Sequence, residues 1–297
     1  MDGTTRLAYY KPSGAAPPSG VILTALGGCV LAVAAGALYG IVSAVIPLIY
    51  INILLAGALG ALLGFAVSKG VSAFHVRNVS CAVISGIIVF ICAYVFHWFF
   101  YLAAYGVTKL SEVQEVFETV SMYFENPRDA WDGIKFINGL GWSISGSSGS
   151  GAMTVSGWEL WAIWAAEAVW IGYLSAAAPA KQANAPYSER RGMWMDAVEL
   201  PKSVAFIENT AAFKESLSRG DFGALMTPLD GRNAPSEPSD EKYAAVTMYP
   251  DSWDPYISVS NVTVKVKKKK RDVSTKNVVK YLKVPAEISL KIKDALS

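Results

Sequence analysis

Residues able to do chemistry are few in this chain. It contains two histidines, His75 and His97, and three cysteines, Cys29, Cys81 and Cys92, each cysteine inside an apolar run and none in a CxxC pair. That pattern suits neither a disulfide framework nor a thiolate metal site, and it makes the cysteines small packing residues. The sequence has no Walker loop, Rossmann glycine fingerprint, HExxH or Ser/His/Asp arrangement. No cofactor is expected, and a non-enzymatic protein is favoured. Glu167 stands out because it lies ten residues from either end of an apolar stretch, 157–178. An ionised carboxylate at mid-bilayer is costly, so it must face a helix bundle, hold a proton or find a partner. Three roles fit it: a step on an ion or proton pathway, a structural carboxyl hydrogen-bonded in the bundle, or a group on a shallower, partly interfacial helix. Glu159, eight residues earlier, falls at the span boundary where it stays hydrated. His97, about 20 residues past Arg77, reads as interfacial, near the outer surface.

A second cluster is the basic run 265–271, six bases including Lys267, Lys268, Lys269, Lys270 and Arg271. It falls at the tip of an expected hairpin, as a solvated turn or as a contact for anionic lipid. Nucleic acid is not an expected partner, because no interleaved aromatics or groove-reading helix accompany the run.

The elements that must position these residues follow from composition. Hydrophobic residues make up 53% of the 297 and charged residues 17%, with a mean hydropathy of +0.33, against about 25% charged in soluble domains. Residues 1–180 carry 7 of the 26 bases and 9 of the 24 acids, so the apolar half comes first. This excludes a disulfide-stapled mini-protein, a disordered chain, a coiled coil and a wholly soluble enzyme. The apolar stretch 21–68 is too long for one crossing, since ~20 residues span a ~30 Å hydrocarbon core, and Pro47 divides it. Expected spans are 21–43, 47–68, 79–103 and 157–178. A signal peptide is the competing reading of the first, but that run outlasts an h-region of ~7–15 residues and feeds a second apolar segment.

The expected fold class is therefore an α-helical membrane protein with four transmembrane helices plus a small cytosolic α+β domain. Its parts are an N-terminal cytosolic segment 1–20, three helices within 21–105, an extracytoplasmic helical segment 106–156, the fourth helix 157–178 and the cytosolic unit 179–297. Segment 106–156 holds three bases against six acids, whereas the Lys69/Arg77 loop and the Lys181/Arg190/Arg191 flank are basic. Positive charge inside then places both termini in the cytoplasm.

Small residues recur every four positions in the first helix (Gly28, Gly36, Gly40) and in the second (Gly60, Gly64). Such stripes let backbones approach closely. They fit a hairpin of helices one and two, or a homodimer face, and Leu59 beside Gly60 is expected to face lipid. Rings from Tyr94 to Tyr101 and from Trp158 to Trp164 read as an interfacial aromatic belt. Between spans three and four, 110–124 is an amphipathic helix, a second begins at Asn126-Pro127, and 143–151 is a Gly/Ser linker. In the last unit a helix at 201–218, strands at 243–249, 256–267 and 277–284 and a final helix after Pro285 are expected. The hydrophobic parity of the long strand changes near Ser260, which predicts a bulge.

Four strings, YYKPSG at 9–14, IPLIYINILL at 46–55, VRN at 76–78 and VSGWELWAIWAAE at 155–167, resemble a family of bacterial inner-membrane proteins of unknown function. The resemblance covers the membrane half and implies a bacterial inner membrane. In that family the last span is followed by a P-[FY]-C-x-x-C-G-x-W pattern suggestive of a metal knuckle. Here the string is PYSERRGMW, with Ser188 and Arg191 at the cysteine positions, so no metal site carries over. The functional expectation is a non-enzymatic scaffold in the lipid bilayer whose cytosolic unit docks a protein partner or the lipid surface. The alternative is a small transporter or ion-conducting homo-oligomer using Glu167.

Overall fold

A computed structural model describes residues 8–46, 49–105, 113–144, 153–229, 241–267 and 270–297. The chain divides into two compact units, Ser13–Asn184 and a second formed by Met1–Pro12 with Ala185–Ser297.

The first unit holds α1 (Pro18–Val45), α2 (Ile49–Ala73), α3 (Val79–Ala104), α4 (Val113–Glu125), α5 (Pro127–Leu140), the hairpin β1 (Trp142–Ile144) with β2 (Met153–Val155), and α6 (Trp158–Ala183). Helices α1, α2, α3 and α6 are long and apolar enough to cross a membrane, which fits a multi-pass membrane protein. Their packing is inside-out relative to a soluble bundle: Ile22, Leu26, Val30, Ile84, Ile88 and Ile91 are exposed, while Thr24, Gly28, Gly36, Ser85 and Gly86 are buried. That is the pattern expected where lipid would surround the helices and small residues let them meet.

The α1 stripe meets α2 only at one end, where Gly70 of α2 lies against Thr24 and Val67 against Gly28; its closest backbone approaches are to another helix. Gly28, Gly36 and Gly40 of α1 abut Val89, Ala93 and His97 of α3, and Gly60 and Gly64 of α2 abut Ile171 and Leu174 of α6. Each pair runs parallel. Gly86 of α3 meets Ser175 of α6 and joins the two pairs. Leu59 is buried rather than lipid-facing.

Local signals set the ends. Asn78 caps α3 by accepting from the Cys81 N–H at 3.0 Å, and Pro18 and Pro127 occupy first-turn positions where no backbone donor is lost. The fourth span runs to Ala183, five residues beyond the expected 178, with Pro179 inside it. Val116 and Val120 of α4 pack with Phe100 of α3. Ile134 and Ile137 of α5 and Val155 of β2 join Trp98, Tyr101, Leu160 and Trp164 in a cluster that caps one end of the bundle. Trp98, Tyr101 and Trp164 are thus bundle residues and not part of a lipid belt. Asn138 donates from Nδ2 to the Gly157 carbonyl at 2.9 Å, fixing the end of α5 to the start of α6. Of the expected 143–151 linker, Ser143 and Ile144 are paired strand; 145–151 lie outside the described residues, as do 106–112.

The second unit contains the short pair β3 (Tyr187–Ser188) and β4 (Met193–Trp194), β5 (Val198–Glu199), α7 (Thr210–Ser218), α8 (Gly223–Met226), β6 (Glu241–Tyr249), β7 (Tyr256–Lys267), β8 (Lys270–Lys283) and α9 (Ala286–Leu296). The sheet is antiparallel in the order β5-β6-β7-β8. Its buried face, with Val246, Ile257, Val259 and Leu282, meets Phe213, Leu217, Leu225, Ile292 and Leu296 of the helices. The helix expected from 201 begins only at Thr210, where Asn209 caps it by accepting from the Ala211 and Ala212 N–H groups. Two register shifts occur between Ile257 and Ser260 of β7, with the extra residues on β8, where Tyr281 has a φ of 56°. β7 itself keeps unbroken register with β6, so Val262 and Val264 lie on the opposite face from Ile257 and Val259, and the bulge expected in β7 is found in β8 instead. Where cysteines would form a knuckle, the β3–β4 turn is held by the Arg191 N–H donating to Ser188 Oγ at 3.3 Å and by the Gly192 N–H donating to the Ser188 carbonyl at 2.8 Å.

The segment 1–20 is not separate from this unit throughout. Tyr10 donates its N–H to the Tyr281 carbonyl at 2.9 Å, and Lys283 donates its N–H to the Ala8 carbonyl at 2.7 Å, so Ala8–Tyr10 covers the free edge of β8. The Tyr10 ring stands edge-on to Tyr256 and Tyr281. Removing residues 1–10 should therefore lower the thermal stability of this unit by ~1–3 kcal/mol, as buried polar and ring contacts are lost together. Hydrogen exchange at Tyr281 and Lys283 checks this, and unchanged protection in the truncated protein would refute it.

Candidate functional site

Four helices contribute to one polar cluster at the end of the bundle where α1 and α3 finish and α2 and α6 begin. Tyr39 lies six residues before the end of α1, His97 seven before the end of α3, Asn52 three after the start of α2 and Glu167 nine after the start of α6. At a rise of 1.5 Å per residue all four sit within roughly 14 Å of that end. Glu167 itself lies about 14 Å from the start of α6 and closer to the middle of that helix.

Tyr39 Oη donates to Glu167 Oε1 at 2.7 Å, and His97 Nε2 lies 4.0 Å from the same oxygen. The Tyr39 and His97 rings stack with centroids 4.5 Å apart. His97 is 4% exposed and its Nδ1 has no hydrogen-bond partner among the described residues. The interfacial position expected for His97 is therefore replaced by a buried one, because Gly40 of α1 lets that turn of α3 close against it. Tyr94 Oη donates to the Trp164 carbonyl at 3.3 Å, and Trp142 Nε1 to Tyr101 Oη at 3.3 Å, so rings from α3, α6 and β1 enclose the cluster. Trp98 and Trp164 meet edge-on at 4.8 Å. Among the described residues no third His, Cys, Asp or Glu joins His97 and Glu167 to form a metal-ligand set.

Glu167 also borders a cavity of about 330 Å³ between α2 and α6. Asn52, Ile53 and Ala56 line it from α2, and Ile163, Ala166 and Trp170 from α6, with Trp142 of β1 at one end. Ile53 and Trp170 are 61% and 49% exposed, so the mouth lies on the outer flank of the bundle, where lipid would be. Asn52 is buried, and its Oδ1 accepts no hydrogen bond among the described residues. The wall is thus apolar, the base carries a carboxyl and an amide, and the opening is lateral. Farther along, contacts of Gly36 with Ala93, Gly64 with Leu174 and Gly86 with Ser175 bring helix backbones together.

Of the sequence candidates, the structure brings Glu167 into this cluster. Gly40 lies directly behind His97, whereas Gly28, Gly36, Gly60 and Gly64 serve helix contacts farther along. The basic run is elsewhere: Lys267 pairs with Lys270 in the β7–β8 ladder, Lys270 and Arg271 are exposed, and Lys268 and Lys269 lie outside the described residues. Tyr39, Asn52 and Trp142 were not singled out from sequence. Two signals pointed to them: Tyr39 interrupts an otherwise small-residue face, and Asn52 is an amide within an apolar span.

Comparison with protein-family models, curated proteins and solved structures finds no match. The resemblance carried by YYKPSG and VSGWELWAIWAAE thus gains no family match, and the chemistry of the site rests on its own geometry.

Proposed function

We propose that this chain is a non-enzymatic multi-pass protein of the bacterial inner membrane, both termini cytoplasmic, that binds a ligand from the bilayer at Glu167. One observation carries the reading: a carboxyl hydrogen-bonded to Tyr39 at 2.7 Å also borders a lateral cavity of about 330 Å³ with apolar walls. A purely structural carboxyl would be enclosed by its partners, since an unsatisfied group beside lipid is costly. The backbone contacts farther along the bundle favour a one-ended site over conduction of ions through one chain. The cytoplasmic placement rests on the basic Lys69/Arg77 and Lys181/Arg190/Arg191 flanks.

A lipid-soluble carbodiimide tests the reading, because it couples to a carboxyl reachable from the hydrocarbon phase. Mass spectrometry should find an adduct on Glu167 in the reconstituted protein, none at that position in Glu167→Gln, and several-fold slower coupling in Ile53→Trp, which narrows the mouth. An unmodified Glu167 in folded protein, or faster coupling by a water-soluble carbodiimide, would overturn it.

A second reading, docking of a protein partner or anionic lipid by the C-terminal unit, draws on the start of β8, where Lys270 to Asn277 are all exposed. Consistent recovery of the protein alone as a monodisperse monomer would remove the partner and homo-oligomer versions.

A further inference from the structure

We infer that the cavity between α2 and α6 receives the primary ammonium head of a single-chain amphiphile that enters sideways from the bilayer. This rests on the reading of Glu167 as a ligand-binding carboxyl and adds the chemical class of the ligand. The polar groups on the cavity wall select the head. Glu167 supplies a carboxylate, and Asn52, which also lines the cavity, carries just beneath that surface an Oδ1 without a partner among the described residues, on a side chain 5% exposed. Both call for a donor, and an ammonium brings three. Trp142 and Trp170 add indole rings, whose faces attract a cation by ~0.5–2 kcal/mol. Lysine and arginine are absent from the described lining, so an anionic head would meet the carboxylate with no compensating charge.

Size and placement select the rest of the molecule. About 330 Å³ is at the lower end of the roughly 300–1,000 Å³ range of small-molecule sites, enough for a head and its first methylenes. Ile53, Ala56, Ile163 and Ala166 form apolar walls suited to those methylenes. The remaining chain then leaves through the mouth beside Ile53 and Trp170 into the hydrocarbon phase, which spares the protein from enclosing it.

Coupling chemistry tests the head directly. Full-length protein in nanodiscs of zwitterionic lipid is treated with the lipid-soluble carbodiimide in the presence of dodecylamine. The carboxyl adds to the carbodiimide to give an O-acylisourea. The ammonium gives up a proton to solvent, the freed amine nitrogen attacks the carboxyl carbon, the urea leaves carrying the former carboxyl oxygen and a second N–H proton, and an amide C–N bond remains. The expected product is the dodecylamide of Glu167, saturating with amine concentration. N,N-dimethyldodecylamine, whose ammonium form keeps an N–H donor but which cannot leave a stable amide, should suppress it several-fold, and dodecanol and dodecyl sulfate should leave it unchanged. Appearance of only the carbodiimide adduct at Glu167 at every amine concentration would overturn the ammonium class while leaving the carboxyl reachable from lipid. Glu167 without any modification would overturn both. Equal suppression by dodecanol would replace the ammonium with a neutral donor head, and amide formation at Glu159 to the same extent would show capture without a site.

Discussion

Gly36→Ala should destabilise the protein by ~1–3 kcal/mol, the usual cost of overpacking, although alanine is the better helix former by ~0.8–1 kcal/mol. The opposition of the two effects is what makes the result informative. A Cβ at Gly36 would overlap the Ala93 carbonyl of α3, and backbone cannot swing aside as a side chain can. The same addition at Gly64 would meet the Leu174 carbonyl of α6, so Gly64→Ala should behave alike for the other helix pair. Gly27 provides the control, one residue from Gly28 on the same helix, where an added Cβ has nothing within 4 Å. Thermal denaturation in detergent should show Gly27→Ala unchanged or stabilised, with Gly36→Ala and Gly64→Ala clearly lowered. If all three rise together, the close backbone approach between parallel helices is wrong.

Tyr39→Phe should cost about as much, ~1–3 kcal/mol, by taking the donor from Glu167 while leaving the carboxyl in the bundle. The phenol ring remains as a benzene ring, so stacking on His97 at 4.5 Å is preserved and the loss isolates the 2.7 Å hydrogen bond. Glu167→Gln should cost much less, because an amide oxygen accepts from Tyr39 Oη in the same place. The decisive measurement is a double-mutant cycle with Glu167→Leu, in which replacing both partners removes the unsatisfied group. The penalty of Tyr39→Phe should largely vanish in the Glu167→Leu background, giving a coupling of about 1 kcal/mol or more between the two positions. Additive penalties would mean that the two groups do not share the bond.

Much of the fold is local and therefore legible in sequence. Helix boundaries in the membrane half follow apolar runs broken by Pro47 and by the stretch with His75, Arg77 and Asn78, and proline marks the starts of α1 and α5. The four-residue recurrence of Gly28, Gly36 and Gly40 shows that a backbone must come close on that face. It does not show whose backbone, because nothing local ranks Ala93 of α3 above the residues of α2 or α6, and apolar spans offer few charges to fix a pairing. The helix expected from 201 illustrates a different failure. Hydrophobic spacing there resembles a helical period, yet Val204 bonds in a strand-like manner to Ala244, and only the Asn209 cap starts α7.

The site divides along the same line. Glu167 is conspicuous because a lone carboxyl in an apolar run carries its energetic cost wherever the helix packs. Depth along α3 alone sets His97 near an interface, whereas its burial depends on Gly40 and on the stacked Tyr39 ring, both on α1. Asn52 and Trp142 are ordinary polar and aromatic residues in sequence, and become site residues only because α2 and β1 arrive beside α6.

What the sequence by itself determined is what depends on one segment and its solvent: four apolar helices, a separate polar unit, a carboxyl within a span and a stripe that must meet another backbone. Tertiary structure alone decided the partners: α1 with α3, α2 with α6, Ala8–Tyr10 with β8, and Tyr39 with Glu167. The physical reason is that burial and hydropathy are summed along a helix, whereas a hydrogen bond or a backbone contact is a condition on two segments at once. Many pairings of apolar helices satisfy the first equally well, and the second is met only where the small residues, the phenol and the carboxyl arrive at the same depth.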